Sequence, residues 1–370
     1  MQKSKWTFVF FMLTFLLSAF LSSVFTLNAY ADTDKKNEKQ TPDSLKLYSL
    51  KDFYGKNNDA IVSFNNVDRA LKIYKSKNNK LEVEASQEIP QFLSNLCLYE
   101  NNGKKQIVVA LGWGRGDLDA PIKIFLTDGK FDNATLIYEV ESKRSEVSFL
   151  KQVGEDIYIS YFNSKYNSVF GKLMQVAEDK WDFIEIAKVR LGMAVDIDKD
   201  SKSVVFARPY KDEEKKLSEV ILLNKDKKII ELPSFRGASS VAFANIDNDK
   251  EKEILIGDGW HQNYAAMAEP RFSYIKINPK TKKYELSLIS NIKGQPSIDK
   301  IIPFNANNKD YILTVGEKFI NLYEPKNNWK QKTILEKTGD AFQTLDAVFV
   351  LLDGKPRIAT FDKKLEIKTF

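Results

Sequence analysis

The sequence holds one cysteine and one histidine in 370 residues, and each scarcity removes a class of function. Cys97 cannot form an internal disulfide, and it lies in the apolar run Phe92 to Tyr99, where a thiol packs as a small inert hydrophobe. With His261 as the only imidazole, multi-histidine metal chemistry is excluded. No neighbour in sequence supplies the partner that a general-base histidine needs. The nucleophile-elbow, P-loop and dinucleotide-binding fingerprints are all missing. Charge of one sign is never concentrated. The formal charge is +6, but acids and bases alternate along most of the chain, and no window interleaves Lys and Arg with aromatics as a nucleic-acid groove requires.

Long apolar runs are absent after residue 27, which gives the one before it weight. Lys3 and Lys5 precede an apolar stretch from Trp6 to Leu27, and Ala29-Tyr30-Ala31 supplies the small residues a signal peptidase cuts after. Residues 1–31 therefore read as a signal peptide, with an uncleaved anchor helix as the alternative because the run is long enough to span a bilayer. No cysteine follows it, which argues against a lipoprotein. Residues 32–43 are polar and charged and read as a flexible tether. These features predict a secreted or extracytoplasmic protein, touching a membrane only through its N-terminus if that segment stays attached.

With 43% hydrophobic and 12% aromatic residues, the remaining chain, 44–370, can bury a large core. Helical periodicity is scarce. Ile, Val, Tyr, Phe and Thr instead recur in short alternating runs bounded by Asn, Asp, Gly and Lys, which predicts an all-β protein. These runs repeat. Units begin near Leu45, Phe92, Glu146, Gly192, Ala238, Ser297 and Phe342, roughly every 45–60 residues, each with strand-like segments in the same order. The second segments read AIVSF, QIVVALG, DIYISYF, SVVFA, EILIG, DYILTVG and PRIATF. Stacked four-stranded units of this length predict a seven-bladed β-propeller, in which neighbours cover the apolar faces of each sheet. Six blades remain open if a terminal unit is incomplete, and two packed sandwiches are the alternative fold. The seventh unit stops one strand short at Phe370, and the segment Asp32 to Leu50 is the expected donor of the missing strand.

The fifth unit is the fullest copy. After VAFA come Asn245, Asp247 and Asp249 at alternate positions, then Glu253, a spacing that can point several oxygens at a hard cation. Asp196, Asp198 and Asp200 repeat the first three positions in the fourth unit. The pattern of an acidic D-x-D-x-D loop followed by an I-L-I-G strand resembles the FG-GAP or VCBS repeats of integrin-like β-propellers. That resemblance implies calcium at one or two blades, through Asn245, Asp247, Asp249 and Glu253 and through Asp196, Asp198 and Asp200. Lys250 stands where the family usually has glycine, and Val204 replaces the ninth ligand in the fourth unit. Asp and Asn also favour turns for their own local hydrogen bonds, so an acidic turn without metal is the bland alternative.

Loops between second and third strands emerge together on one face of a propeller. Three of them are long and rich in aromatic, basic and acidic residues, which nominates Trp113, Arg115, Asp117, Arg208, Tyr210, Trp260, His261, Asn263, Tyr264 and Arg271 as ligand-binding residues. Trp113 and Trp260 could equally pack between blades. The expected function is an exported binding module or interaction scaffold for an extracellular glycan, peptide or protein. The alternative is a carbohydrate-active lyase or hydrolase using His261 with Arg271 or Asp258.

Overall fold

The computed structural model describes residues 45–370 except 66–68, 78–79, 90, 113–119, 141–145, 164–166, 179, 191, 193, 209–218, 236, 248, 250, 260–269, 294–296 and 338–344. The signal and tether expected in residues 1–43 lie outside the described residues, and Ser44–Phe370 forms one compact unit. Among the described residues no helix is long and apolar enough to cross a membrane.

Among the described residues, twenty-seven strands form seven antiparallel sheets whose strands follow chain order from the inside outward. The innermost strands are Leu45–Leu50, Phe92–Asn101, Val147–Val153, Ala194–Ile197, Ala238–Ala244, Lys300–Ala306 and Asp346–Leu352. These starts fall within four residues of the repeat positions read from sequence. Blades 1 to 6 have four strands and blade 7 has three. Short antiparallel connections explain the order. Between the first and second strands of blade 2, Asn102 and Gly103 take φ of +50° and +77°, the left-handed pair of a two-residue hairpin turn. Asn307-Asn308 and Asp353-Gly354 do the same in blades 6 and 7.

Second strands are buried on both faces, as in Ala60–Asn65, Val204–Ala207 and Glu253–Asp258, because each blade is covered by a neighbour on either side. Seven apolar clusters result, one at each blade junction. The junction between blades 7 and 1 joins Val348, Val350, Ala359 and Phe361 to Leu47 and Ile61. Of the expected donor segment, Asp32 to Leu50, the part Leu45–Leu50 is the innermost strand of blade 1, paired with Ala60–Asn65, and not the outer strand of blade 7, while residues 32–44 lie outside the described residues. Among the described residues, side-chain packing joins blades 7 and 1.

A polar clasp reinforces the closure at the axis. Asp346 Oδ2 accepts the Leu47 N–H at 2.7 Å, while Oδ1 accepts from Lys300 Nζ of blade 6 at 3.1 Å. The same device recurs a half-turn away. Asp196 accepts from Lys151 Nζ of blade 3 at 2.8 Å and from the Phe243 N–H of blade 5 at 2.9 Å.

Candidate functional site

Because strands alternate in direction, the connections from second to third strands and those between blades lie at one end of the ring. The acidic loops between first and second strands lie at the other. The sequence-derived site thus divides into two faces with different chemistry.

On the first face a cavity of about 420 Å³ opens along the axis, among the starts of the innermost strands of blades 3 to 6. Its polar lining includes Ser148, Lys151, Asp196, Ser239, Asp299 and Lys300. The lysines are committed to the protein. Lys151 Nζ also donates to Ile197 O at 3.3 Å, and Lys300 Nζ to Leu47 O at 3.1 Å and Ala347 O at 3.2 Å. Asp299 is different. It is exposed to the channel, and Ser297 Oγ donates to its Oδ1 at 2.5 Å. Desolvation by the surrounding protein raises its pKa, opposed by the Ser297 hydrogen bond and helped by the nearby Asp346 carboxylate. Ser239 Oγ lies 3.1 Å from Gly257 O and 3.0 Å from Ile298 O, which share its one proton, leaving its oxygen able to accept.

Beside this cavity, the ends of two long loops converge in blades 4 and 5. Arg208 is fully buried and donates through Nε to Arg190 O of blade 3 at 2.9 Å. Glu219 is buried and accepts the Gly237 N–H through Oε2 at 2.5 Å. Both therefore join blades. Asp258, only 2% exposed, receives Arg271 Nε at 2.6 Å on Oδ2, and the Arg271 guanidinium lies 4.4 Å from the centre of the Phe235 ring. Asp258 Oδ1 is buried without a hydrogen-bond partner among the described residues. An ion pair this short ordinarily lowers a carboxyl pKa, but here burial outweighs Arg271 and pushes Asp258 up to about 6. Gly257 precedes it because the chain entering blade 6 passes directly over this strand. A Cβ there would sit 2.4 Å from Ser240 Oγ and 2.6 Å from Ile298 Cγ2.

Of the ten proposed ligand residues, Arg208 and Arg271 are described, the first as an internal tie and the second as half of the Asp258 pair. Trp113, Arg115, Asp117, Tyr210, Trp260, His261, Asn263 and Tyr264 lie outside the described residues. The tryptophans that are described pack between strands and blades: Trp181 against Tyr99, Trp329 against Tyr274. Cys97 behaves as expected. Its sulfur faces the core between blades 2 and 3, and burial pushes the thiol up to about 12. Sequence reasoning missed Ser148, Ser239 and Asp299, which carry no local signal and meet only when the ring closes. Glu219 and Phe235 were missed for the same reason.

On the opposite face, ligand atoms of Asp247, Asp249 and Glu253 lie within 4.8 Å of one another, the one such group of acids among the described residues. Asp249 N–H donates to Asp247 Oδ1 at 3.2 Å, and Ile246 N–H to Glu253 Oε2 at 3.0 Å. Asn245 Nδ2 donates to Asp249 O at 2.6 Å. Asp198 accepts the Asp200 and Ser201 N–H groups at 3.2 and 3.0 Å, whereas Asp196 turns away into the axial clasp. Calcium fits the blade 5 geometry by carboxylate count, but Lys276 Nζ lies among those carboxylates, paired with Asp247. An ammonium and a divalent cation cannot share that space, so the loop as it stands does not fit the ion. Burial disfavours the Asp247 charge, but Lys276 and the Asp249 N–H outweigh it and lower its pKa, and Lys276 is raised in turn.

No family profile matches the chain, and no curated protein matches it in sequence. Among solved structures it is similar to a candidate 6-phosphogluconolactonase from Bacteroides uniformis, with TM-score 0.51 and 11% identity, covering 80% of this chain and 85% of that one. It is also similar to a candidate 6-phosphogluconolactonase from Bacteroides fragilis, with TM-score 0.47, 12% identity and coverage of 83% and 98%. The N-terminal domain of Nup159 aligns with TM-score 0.48, 9% identity and coverage of 86% of each chain. At such identities the likeness is one of fold, and the chain is an all-β, seven-bladed propeller.

Proposed function

We propose that this chain is an exported β-propeller binding module, of the type that FG-GAP and VCBS repeats resemble, and that it takes a neutral polyhydroxylated ligand, a glycan, at its axial cavity. The observation that carries the reading is which atoms can still accept in that cavity. Its two lysines are spent on protein acceptors, and the Ser148 and Ser239 hydroxyls give their protons to backbone carbonyls, so the lining offers the Asp299 carboxyl and the two serine oxygens as acceptors for the O–H donors of a sugar. The second strands of blades 2, 4 and 5 end at the same end of the ring, and Trp113, Tyr210, Trp260 and Tyr264 follow them in the sequence. Export, read from residues 1–31, places such a module where glycans are presented.

Titration of the purified protein with an oligosaccharide panel tests this. The reading expects one class to bind, Asp299→Ala to weaken it about tenfold or more, and the melting temperature to stay within about 2 °C, since Asp299 lines open space. A panel that gives no binding, or binding indifferent to Asp299, removes the reading. A lyase or hydrolase reading has one observation in its favour, the buried Asp258 carboxyl held near pH 6 beside Arg271, since general acids are tuned by burial of this kind. Release of cleaved sugar by wild type but not by Asp258→Asn separates catalysis from binding.

A further inference from the structure

In both acidic loops the space between the carboxylates is held by a lysine. In blade 5, Lys276 reaches in from the third strand, pairs with Asp247, and lies 3.4 Å from Asp249 Oδ2 and 4.0 Å from Glu253 Oε1. In blade 4, Lys252 pairs with Asp198 and stands 2.6 Å from Asp200 Oδ2. The two lysines come from unrelated places, 29 residues after Asp247 and 54 after Asp198, so the arrangement occurs twice without being a copied motif. Lys252 also lies between Glu251 and Glu253 in the blade 5 loop, so its pairing ties blades 4 and 5 together.

We propose that Lys276 and Lys252 are the resident cations of these loops, supplying from the chain itself the positive charge that calcium supplies in the repeats they resemble. Calcium takes six to eight oxygens at about 2.3–2.6 Å, a full cage that the blade 5 loop would have to complete with water. An ammonium carries three N–H donors, and Lys276 bonds Asp247 while standing 3.4 Å from Asp249 and at ion-pair distance, 4.0 Å, from Glu253. Glu253 is buried at the start of the second strand, and Ile246 N–H fixes its other oxygen, so the cage wall is set by the blade. The lysine is tethered, so on pairing it gives up side-chain rotamers but no translational freedom, and it does not depend on the calcium outside. The two loops thus hold their shape with or without calcium, on the face opposite the axial cavity. This inference rests on neither the glycan reading nor the ligand's identity.

Thermal unfolding of the full chain in calcium and in chelator tests it, with wild type, Lys276→Met, Asp247→Asn and the double variant. Wild type is expected to melt within about 1 °C in the two conditions, because nothing binds with the mass-action gain that a metal site produces. In chelator, Lys276→Met is expected to melt several degrees lower, roughly 2–4 °C, because three acids are left crowded. Asp247→Asn is expected to cost stability in wild type but to restore it in Lys276→Met, a sign change that a purely structural loss of side-chain packing would not give. A wild-type melting temperature that rises by several degrees with calcium overturns the proposal. So does a Lys276→Met protein that melts as wild type does in chelator. Should Lys276→Met fail to fold, the wild-type comparison and Asp247→Asn decide.

Discussion

Asp258 shows how a single residue resists reading from sequence. In the sequence it is one acid in a glycine-flanked loop, yet in the blade it is sealed beneath the chain entering blade 6 and beside Arg271. Burial raises its pKa to about 6, so the folded state holds a proton better than the unfolded chain does. The stabilising contribution is then fully present below the unfolded pKa near 4 and is lost as pH rises through about 6. With each pKa unit worth about 1.4 kcal/mol, the effect between pH 4 and 7 is of the order of 3 kcal/mol. Asp258→Asn is expected to flatten that part of the pH–stability curve, measured by urea unfolding at intervals of pH. A variant curve parallel to wild type would show that the proton is held elsewhere. The grouping of Asp247, Asp249 and Glu253 was legible from spacing alone, whereas Asp196 leaves Asp198 and Asp200 for the axial clasp. The lysine partners were not legible, because Lys276 and Lys252 approach across strands and blades rather than along the loop.

At the level of elements, the strands were legible because alternation and turn residues agree. Asn102-Gly103 and Asp353-Gly354 mark hairpins whose left-handed backbone those residues adopt at little cost. Leu45–Leu50 was legible from the repeat as the start of blade 1, and the paired register agrees. The polar contacts across the closing junction were not legible, because Leu47 and Asp346 stand 299 positions apart. The clasp at Asp346 reinforces this junction, since it bonds both neighbouring blades at once. Asp346→Ala is expected to cost about 2–4 kcal/mol by denaturant unfolding, for it strands a Leu47 N–H and part of the Lys300 charge. Asp156→Ala, which loses a pairing with Lys172 inside one blade, is expected to cost about 1 kcal/mol or less. Equal costs would mean that the apolar junction alone closes the ring. Gly257→Ala is a second probe at this level. Ser240 and Ile298 leave no room for a methyl group, so a loss of about 1–3 kcal/mol is expected from overpacking, seen as a lower melting temperature.

For the whole molecule, seven units in sequence became seven blades, because the repeat encodes local strand order and the stacking of neighbours follows from the buried faces. What the repeat does not encode is the axis. Ser148, Ser239 and Asp299 belong to three blades and become a cavity only when the ring closes, and there the account places the ligand. The most direct measurement is calorimetric titration of the purified protein with the oligosaccharide class selected from the panel, in wild type and in Asp299→Ala. The account predicts one site per chain in wild type and about tenfold or greater weakening in the variant, with unchanged thermal unfolding. Equal affinity in the two proteins would contradict it and move the ligand away from the axis.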